Sequence, residues 1–243
     1  MGSAWSQPPA PTVAIWQIDT KTLDAHTLAG LPDYLTPAEQ ARWFTIQHPK
    51  AQRNFLVGRA ALRVLLSRAT GQTVTDLELG MGRHGKPFLV NDPTLHFNLS
   101  HGGDWLAIAL SWHQPVGIDL EPIRPRPRLP GLCRRCLTDR ETQTVLSLPS
   151  QLASQQFLRY WTCKEAYVKG LGVGLTIPLT VVDLTLPERT IPAIPTPLLQ
   201  TQGLAQGWAI YQWQPTPGYV AALAIAQKPD LTAPAITLQT LSF

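Results

Sequence analysis

The sequence predicts an α+β fold in two halves of similar order, and three observations carry the prediction. Helix-type and strand-type segments segregate instead of alternating: two helical stretches precede five short strand-like runs, and helices followed by strands return in the second half. A Pro/Arg segment, Ile123 to Pro130, divides the halves, its prolines favouring extended chain over helix. Hydrophobic residues reach 44% while charged residues stay at 15%, which excludes disorder by high charge and supplies a sizeable core in 243 residues.

Taken in order, Thr12–Ile18 (TVAIWQI) reads as the first strand. Thr36, Pro37 and Glu39 mark a helix start, with an N-cap, a proline at the first helical position and a glutamate three residues after the cap. A longer helix is predicted from about Pro49 to Ala69, ending before Gly71. Strand-like runs follow at Leu77–Met81, Phe88–Val90, His96–Leu99, Trp105–Ser111 and Val116–Pro122. After the Pro/Arg segment, Thr138 with Glu141 forms a second capping-box signature. A long helix is predicted over Ser150–Gly170, then strands at Thr180–Leu186, Trp208–Trp213 and Gly218–Ala226. The halves share no evident sequence identity, so their likeness is one of order.

Charge is distributed unevenly. Residues 190–227 carry no Asp, Glu, Lys or Arg, but five prolines and six glutamines interrupt them, so strands and turns are expected there and a bilayer span is not. Between Glu39 and Asp76 stand Arg42, Lys50, Arg53, Arg59, Arg63 and Arg68 with no acid among them. Arg124, Arg126, Arg128, Arg134 and Arg135 form a second acid-free block. These fit surfaces for phosphates, anionic small molecules or an acidic protein, with two solvated helix faces the plainer alternative. A net charge of +4 with no nucleic-acid-binding motif argues against that partner. Three cysteines, Cys133, Cys136 and Cys163, make no disulfide framework, and the CxxC pair lacks the second ligand pair a zinc site needs. The opening MGSAWSQPPAP has no basic region followed by an apolar run, so the expectation is a cytoplasmic protein.

Four constellations could carry chemistry. In Gly117-Ile118-Asp119-Leu120-Glu121, strand alternation puts both carboxylates on one face and the two aliphatics on the other. A divalent cation would relieve their repulsion; two solvated acids on an edge strand is the plainer account of the motif alone. In Trp161-Thr162-Cys163-Lys164-Glu165-Ala166-Tyr167-Val168-Lys169, Trp161, Glu165 and Lys169 share a helix face. This fits a third carboxylate beside a phosphate-holding lysine, or a surface Glu–Lys pair beside a core tryptophan. Phe97-Asn98-Leu99-Ser100-His101-Gly102-Gly103 could cradle a phosphate or simply turn a hairpin. Gly85-Lys86-Pro87 places a lysine at a rigid turn.

In this order, G-K-P, F-N-x-S-H, G-I-D-x-E and W-x-x-K-E-A-x-x-K, the motifs resemble the 4′-phosphopantetheinyl transferase superfamily and, within it, the larger Sfp-like (surfactin-synthetase-activating) class. The likeness runs from Thr36 to about Leu175. It implies a pseudo-dimer of two similar lobes, each a small antiparallel sheet packed with helices. The N-terminal lobe would span 1–122 and the C-terminal lobe 123–243, with the active site between them. It implies transfer of the 4′-phosphopantetheine group from coenzyme A to a serine of an apo acyl or peptidyl carrier protein, leaving adenosine 3′,5′-bisphosphate.

Carried over residue by residue, Asp119, Glu121 and Glu165 match the Mg²⁺ ligands (with Mn²⁺ able to substitute), and Lys169 matches the lysine on the pyrophosphate. Lys86, Ser100 and His101 match contacts on the 3′-phosphate side of coenzyme A; Arg53 matches a basic residue on that phosphate and Arg42 one near the adenine. Glu39 and Gln40 stand where some members have lysine. Glu165 is the candidate base, directly or through water, and Trp161 is expected to pack. The implied enzyme is a monomer that needs neither nucleic acid nor membrane. The Arg124–Arg135 segment is placed to meet an acidic carrier protein. Two rival readings are a carrier-binding module that has lost catalysis and a Mg²⁺-dependent nucleotide phosphohydrolase; the presence of all three acids and Lys169 disfavours the first.

Overall fold

The computed structural model describes residues 12–186, 190–198, 200–203, 207–227, 234–241 and 243. The opening MGSAWSQPPAP lies outside them, as do residues 199 and 204–206 of the uncharged run. Strand β1 is Thr12–Asp19 and helix α1 is Ala25–Gly30, capped by the Asp24 carboxylate, which accepts from the Thr27 N–H. Helix α2, Pro37–Thr45, carries the predicted reciprocal bonds between Thr36 and Glu39. Helix α3, Pro49–Thr70, stops at Gly71, whose φ of 75° suits the left-handed cap.

The hairpin β2 (Leu79–Met81) and β3 (Pro87–Leu89) is followed by β4 (Leu95–Gly102), β5 (Trp105–Trp112) and β6 (Val116–Pro122). Helix α4 is Leu129–Cys136, α5 is Asp139–Leu146 with its own Thr138–Glu141 capping box, and α6 is Ser150–Leu171. The strands β7 (Val182–Thr185), β8 (Thr196–Pro197), β9 (Gln200–Gly203), β10 (Trp208–Trp213), β11 (Tyr219–Ala226) and β12 (Ala235–Thr240) complete the described chain.

One four-stranded sheet runs β12-β1-β5-β4 and another β6-β11-β10-β8. Helix α3 packs on the outer face of the first, with Leu62 and Leu66 against Trp16, Phe97 and Ile108. Helix α6 packs on the outer face of the second, with Phe157 and Ala166 among Val220, Ala222 and Ala224. The inner faces meet each other: Val13, Ile15, Ala107 and Ala109 press on Ile118, Leu120, Trp213 and Leu223. Strands β5 and β11 are therefore buried on both faces, which is why they read as near-continuous apolar runs. The same burial explains the charge-free sequence, since β8, β10 and β11 all come from residues 190–227.

The α+β architecture of two lobes of sheet and helix is the one expected, and two expectations of detail are corrected. The predicted division at residue 122 is crossed twice: β6 hydrogen-bonds into the second sheet, and β12 returns to the first. Strand β12 runs parallel to β1, and the other pairings in the two four-stranded sheets are antiparallel. The extended segment ends at Arg128, because Pro130 falls in the first turn of α4, where a missing N–H and a fixed φ are tolerated. Among the described residues no helix is long and apolar enough to cross a membrane.

Candidate active site

The site forms where α6 lies on β6. Strand alternation buries Ile118 and Leu120 between the sheets and turns Asp119 and Glu121 towards α6. The contact is backbone on backbone. A Cβ on Gly117 would stand 2.0 Å from the Ala166 carbonyl oxygen and 2.2 Å from the Gly170 nitrogen. Only glycine admits this approach, which places the acids of the strand beside Glu165 and Lys169 of the helix.

The Lys169 ammonium donates to Asp119 Oδ1 at 2.6 Å and to Ser100 Oγ at 3.0 Å. Ser100 Oγ donates to the same Asp119 oxygen at 2.9 Å. Trp161 Nε1 donates to Glu121 Oε1 at 3.3 Å, and Arg126 lies 3.5 Å from Glu121 Oε2. Asp119 Oδ2 and Glu165 Oε1 are buried with no hydrogen-bond partner among the described residues. Burial, reinforced by the Asp119 charge, pushes the Glu165 carboxyl above its ordinary range against the opposing pull of Lys169. Glu121 is raised by the same two causes, against Arg126 and Trp161.

Three crowded carboxylates, two of them with an orphaned buried oxygen, make an all-oxygen donor set of the kind a hard divalent cation takes. Among the described residues no three such groups stand close enough to form a ready-made cage. The residue types and orphaned atoms suit a hard divalent cation, but as arranged here the cation seated on Asp119 is the Lys169 ammonium.

A pocket of about 470 Å³ adjoins this cluster between α2, α3 and β4. Arg42, Arg59 and His101 line it, together with Phe55, Asn98 and Pro87. The Arg42 and Arg59 guanidinium carbons lie 5.4 and 5.6 Å from the Phe55 ring centre. Burial lowers the His101 imidazole, and the Lys169 charge adds to that, so the pocket and the carboxylates share one electrostatic field. Asn98 ties the regions together, its Oδ1 accepting from the Ile118 N–H at 2.8 Å.

The structure thus brings Asp119, Glu121, Glu165, Lys169 and Ser100 into one cluster, and Arg42 and His101 into the next pocket. Two predicted residues stand elsewhere. Arg53 donates to the carbonyls of Thr20 and Leu23 on another face of α3. Lys86 donates to the Val116 and Gly170 carbonyls at 2.9 and 2.8 Å, while its neighbour Pro87 lines the pocket. Ser100 faces Asp119 and not a phosphate pocket. Trp161 packs as expected, stacked on Phe157 at 6.1 Å.

Sequence reasoning missed Arg59. Its signal was membership of the acid-free basic block, one turn from Arg63, and neither block nor spacing separates the two. Arg63 is buried on Glu39 at 2.7 Å and on the Val74 and Leu77 carbonyls, whereas Arg59 stands 3.9 Å from Glu39 and faces the pocket. Gln40 likewise turns inward, to the Pro32 and Leu35 carbonyls.

Residues 115–224 match the 4′-phosphopantetheinyl transferase superfamily, and residues 23–113 match the 4′-phosphopantetheinyl transferase N-terminal family. The chain is 34% identical over 217 residues to 4′-phosphopantetheinyl transferase HetI of Nostoc sp., covering 88% of this chain and 87% of that protein. The chain belongs to the 4′-phosphopantetheinyl transferase superfamily. It is also 33% identical over 168 residues to a putative 4′-phosphopantetheinyl transferase of Synechocystis sp., covering 68% of this chain and 67% of the relative. It is 27% identical over 153 residues to 4′-phosphopantetheinyl transferase Sfp of Bacillus subtilis, covering 63% of this chain and 67% of that one.

Proposed function

We propose that this enzyme transfers the 4′-phosphopantetheine group of coenzyme A to a serine of an apo acyl or peptidyl carrier protein, in the cleft between β6, α6 and α3. The observation that carries the site assignment is the cluster of Asp119, Ser100 and Lys169, with the orphaned oxygens of Asp119 and Glu165 beside it. Arg42, Arg59 and His101 hold the 3′-phosphate end of coenzyme A in the adjoining pocket. Lys169 reaches the pyrophosphate from the opposite side and meets the charge that grows on the departing phosphate.

Asp119, Glu121 and Glu165 would hold Mg²⁺, or Mn²⁺ in its place, and that ion would supply charge neutralisation at the pyrophosphate. The carrier serine Oγ attacks the phosphorus that bears pantetheine. The bond from that phosphorus to the bridging oxygen breaks, and its electron pair leaves with adenosine 3′,5′-bisphosphate. The serine proton passes to Glu165 through one water. Positioning and charge stabilisation supply most of the acceleration, as in phosphoryl transfer generally.

The carrier protein approaches from α4, whose Arg134 and Arg135 are exposed at its C-terminal turn. The groove of about 680 Å³ between the 123–130 segment and the start of α6 adjoins Arg126, which reaches Glu121. The three cysteines are buried and free, which supports a reducing, cytoplasmic setting. The test is to incubate the protein with coenzyme A, Mg²⁺ and an apo carrier protein and to weigh the carrier. A gain of one phosphopantetheine group is expected. Hydrolysed coenzyme A with an unchanged carrier would instead favour a phosphohydrolase. Charge reversal of Arg134 and Arg135 should raise KM for the carrier and leave that for coenzyme A alone.

A further inference from the structure

Lys86 has no place in the mechanism above, yet it is more constrained than most lysines. The turn Gly82–Lys86 is closed by bonds from the Gly82 N–H to the Lys86 carbonyl and from the Gly85 N–H to the Gly82 carbonyl, with Gly85 at φ 83°. The Lys86 side chain leaves this turn towards the junction of β6 and α6. Its stem runs past Gly172, where a Cβ would stand 3.1 Å from Lys86 Cδ. Its ammonium ends between two carbonyl oxygens, Val116 at the start of β6 and Gly170 in the last turn of α6. The Gly170 carbonyl is one of the four at the helix end with no partner inside the helix, where a cation is favoured. Burial alone pushes the ammonium down to about 8, and among the described residues it pairs with two carbonyls and no carboxylate.

The two carbonyls flank the place where Gly117 meets Ala166 and Gly170. Val116 is three residues before Asp119, and Gly170 directly follows Lys169. We propose that Lys86 is a positioning residue: a strut from the β2–β3 hairpin whose ammonium bridges the backbones of β6 and α6 and sets the spacing between Asp119 and Glu121 on the strand and Glu165 and Lys169 on the helix. The strut rests on the reading that these four residues form the reaction site. A phosphate on the same ammonium would have to displace one carbonyl, so strut and phosphate ligand are alternatives.

Lys86→Met keeps the stem and removes the donors. In this variant kcat for transfer to an apo carrier should fall at least about tenfold, because small displacements of reacting groups are costly. The dissociation constant for adenosine 3′,5′-bisphosphate, which carries the 3′-phosphate, should stay within about twofold of the unaltered protein. Lys86→Gln, which retains a donor for one carbonyl, should recover part of kcat. A rise in that dissociation constant with kcat preserved, or no change in either, overturns the strut. If the variants do not fold, the ¹⁵N signal of the Lys86 ammonium in the unaltered protein decides. It should be unmoved by adenosine 3′,5′-bisphosphate, and a large shift would assign Lys86 to the phosphate. An unaltered protein that transfers nothing to any apo carrier would sink the functional reading, and the ammonium signal would still test the strut.

Discussion

Helix α6 carries two lysine–carboxylate pairs of nearly equal length on different faces, and they do different work. On the face towards α5, Lys164 meets Glu141 at 2.5 Å with both side chains wholly buried. That pair is saturated. Lys164 also donates to the Cys136 and Leu179 carbonyls, and Glu141 accepts from the N–H groups of Thr138 and Leu184. On the face towards β6, Lys169 meets Asp119 at 2.6 Å, with the lysine 30% exposed. That pair is open: one Asp119 oxygen and one Glu165 oxygen have no partner among the described residues. The saturated pair closes a helix junction, and the open one holds unspent donor and acceptor capacity for a substrate. Adjacent residues of one motif, Lys164 and Glu165, therefore serve structure and chemistry separately.

The comparison is broken most sharply at the saturated pair. Glu141→Ala leaves a buried ammonium without its carboxylate and should cost about 3–5 kcal/mol of stability, read as a large fall in the denaturant midpoint. Asp119→Ala should do the reverse, lowering transfer by about 10²–10³-fold with little change in that midpoint, since it removes a carboxylate that crowds two others. Gly117→Ala tests the approach of β6 to α6; a Cβ there meets helix backbone, and overpacking of this kind costs about 1–3 kcal/mol or more. Transfer should fall with it, because the strand and helix acids separate. Smallest is Arg59→Ala, which should raise the dissociation constant for adenosine 3′,5′-bisphosphate about tenfold, the loss of one charge-assisted contact, and leave the unfolding midpoint near that of the unaltered protein.

How much of this was legible in the sequence depended on whether the determinant was local. Capping boxes at Thr36 and Thr138, the glycine stop at Gly71 and the face shared by Asp119 and Glu121 all follow from short-range rules, and the structure has them. What stayed hidden was long-range. Nothing in AITLQT says that β12 crosses back to β1, and nothing in Arg59 and Arg63 says which one Glu39 engages more closely. The motif lysines showed the same limit: Lys86 and Lys164 look as chemical as Lys169, and only their partners, backbone carbonyls and a buried glutamate, separate them. In the charge-free run the absence of charge was plain, but its cause, burial of β11 on both faces, needed the second sheet and α6 in place.

The most direct measurement takes Asp119→Ala and the unaltered protein side by side, each weighed for phosphopantetheine added to an apo carrier protein in Mg²⁺ and each unfolded in denaturant. The open-pair account predicts lost transfer with an unfolding midpoint close to that of the unaltered protein. Full transfer by Asp119→Ala, or loss of transfer only through loss of the fold, would contradict it.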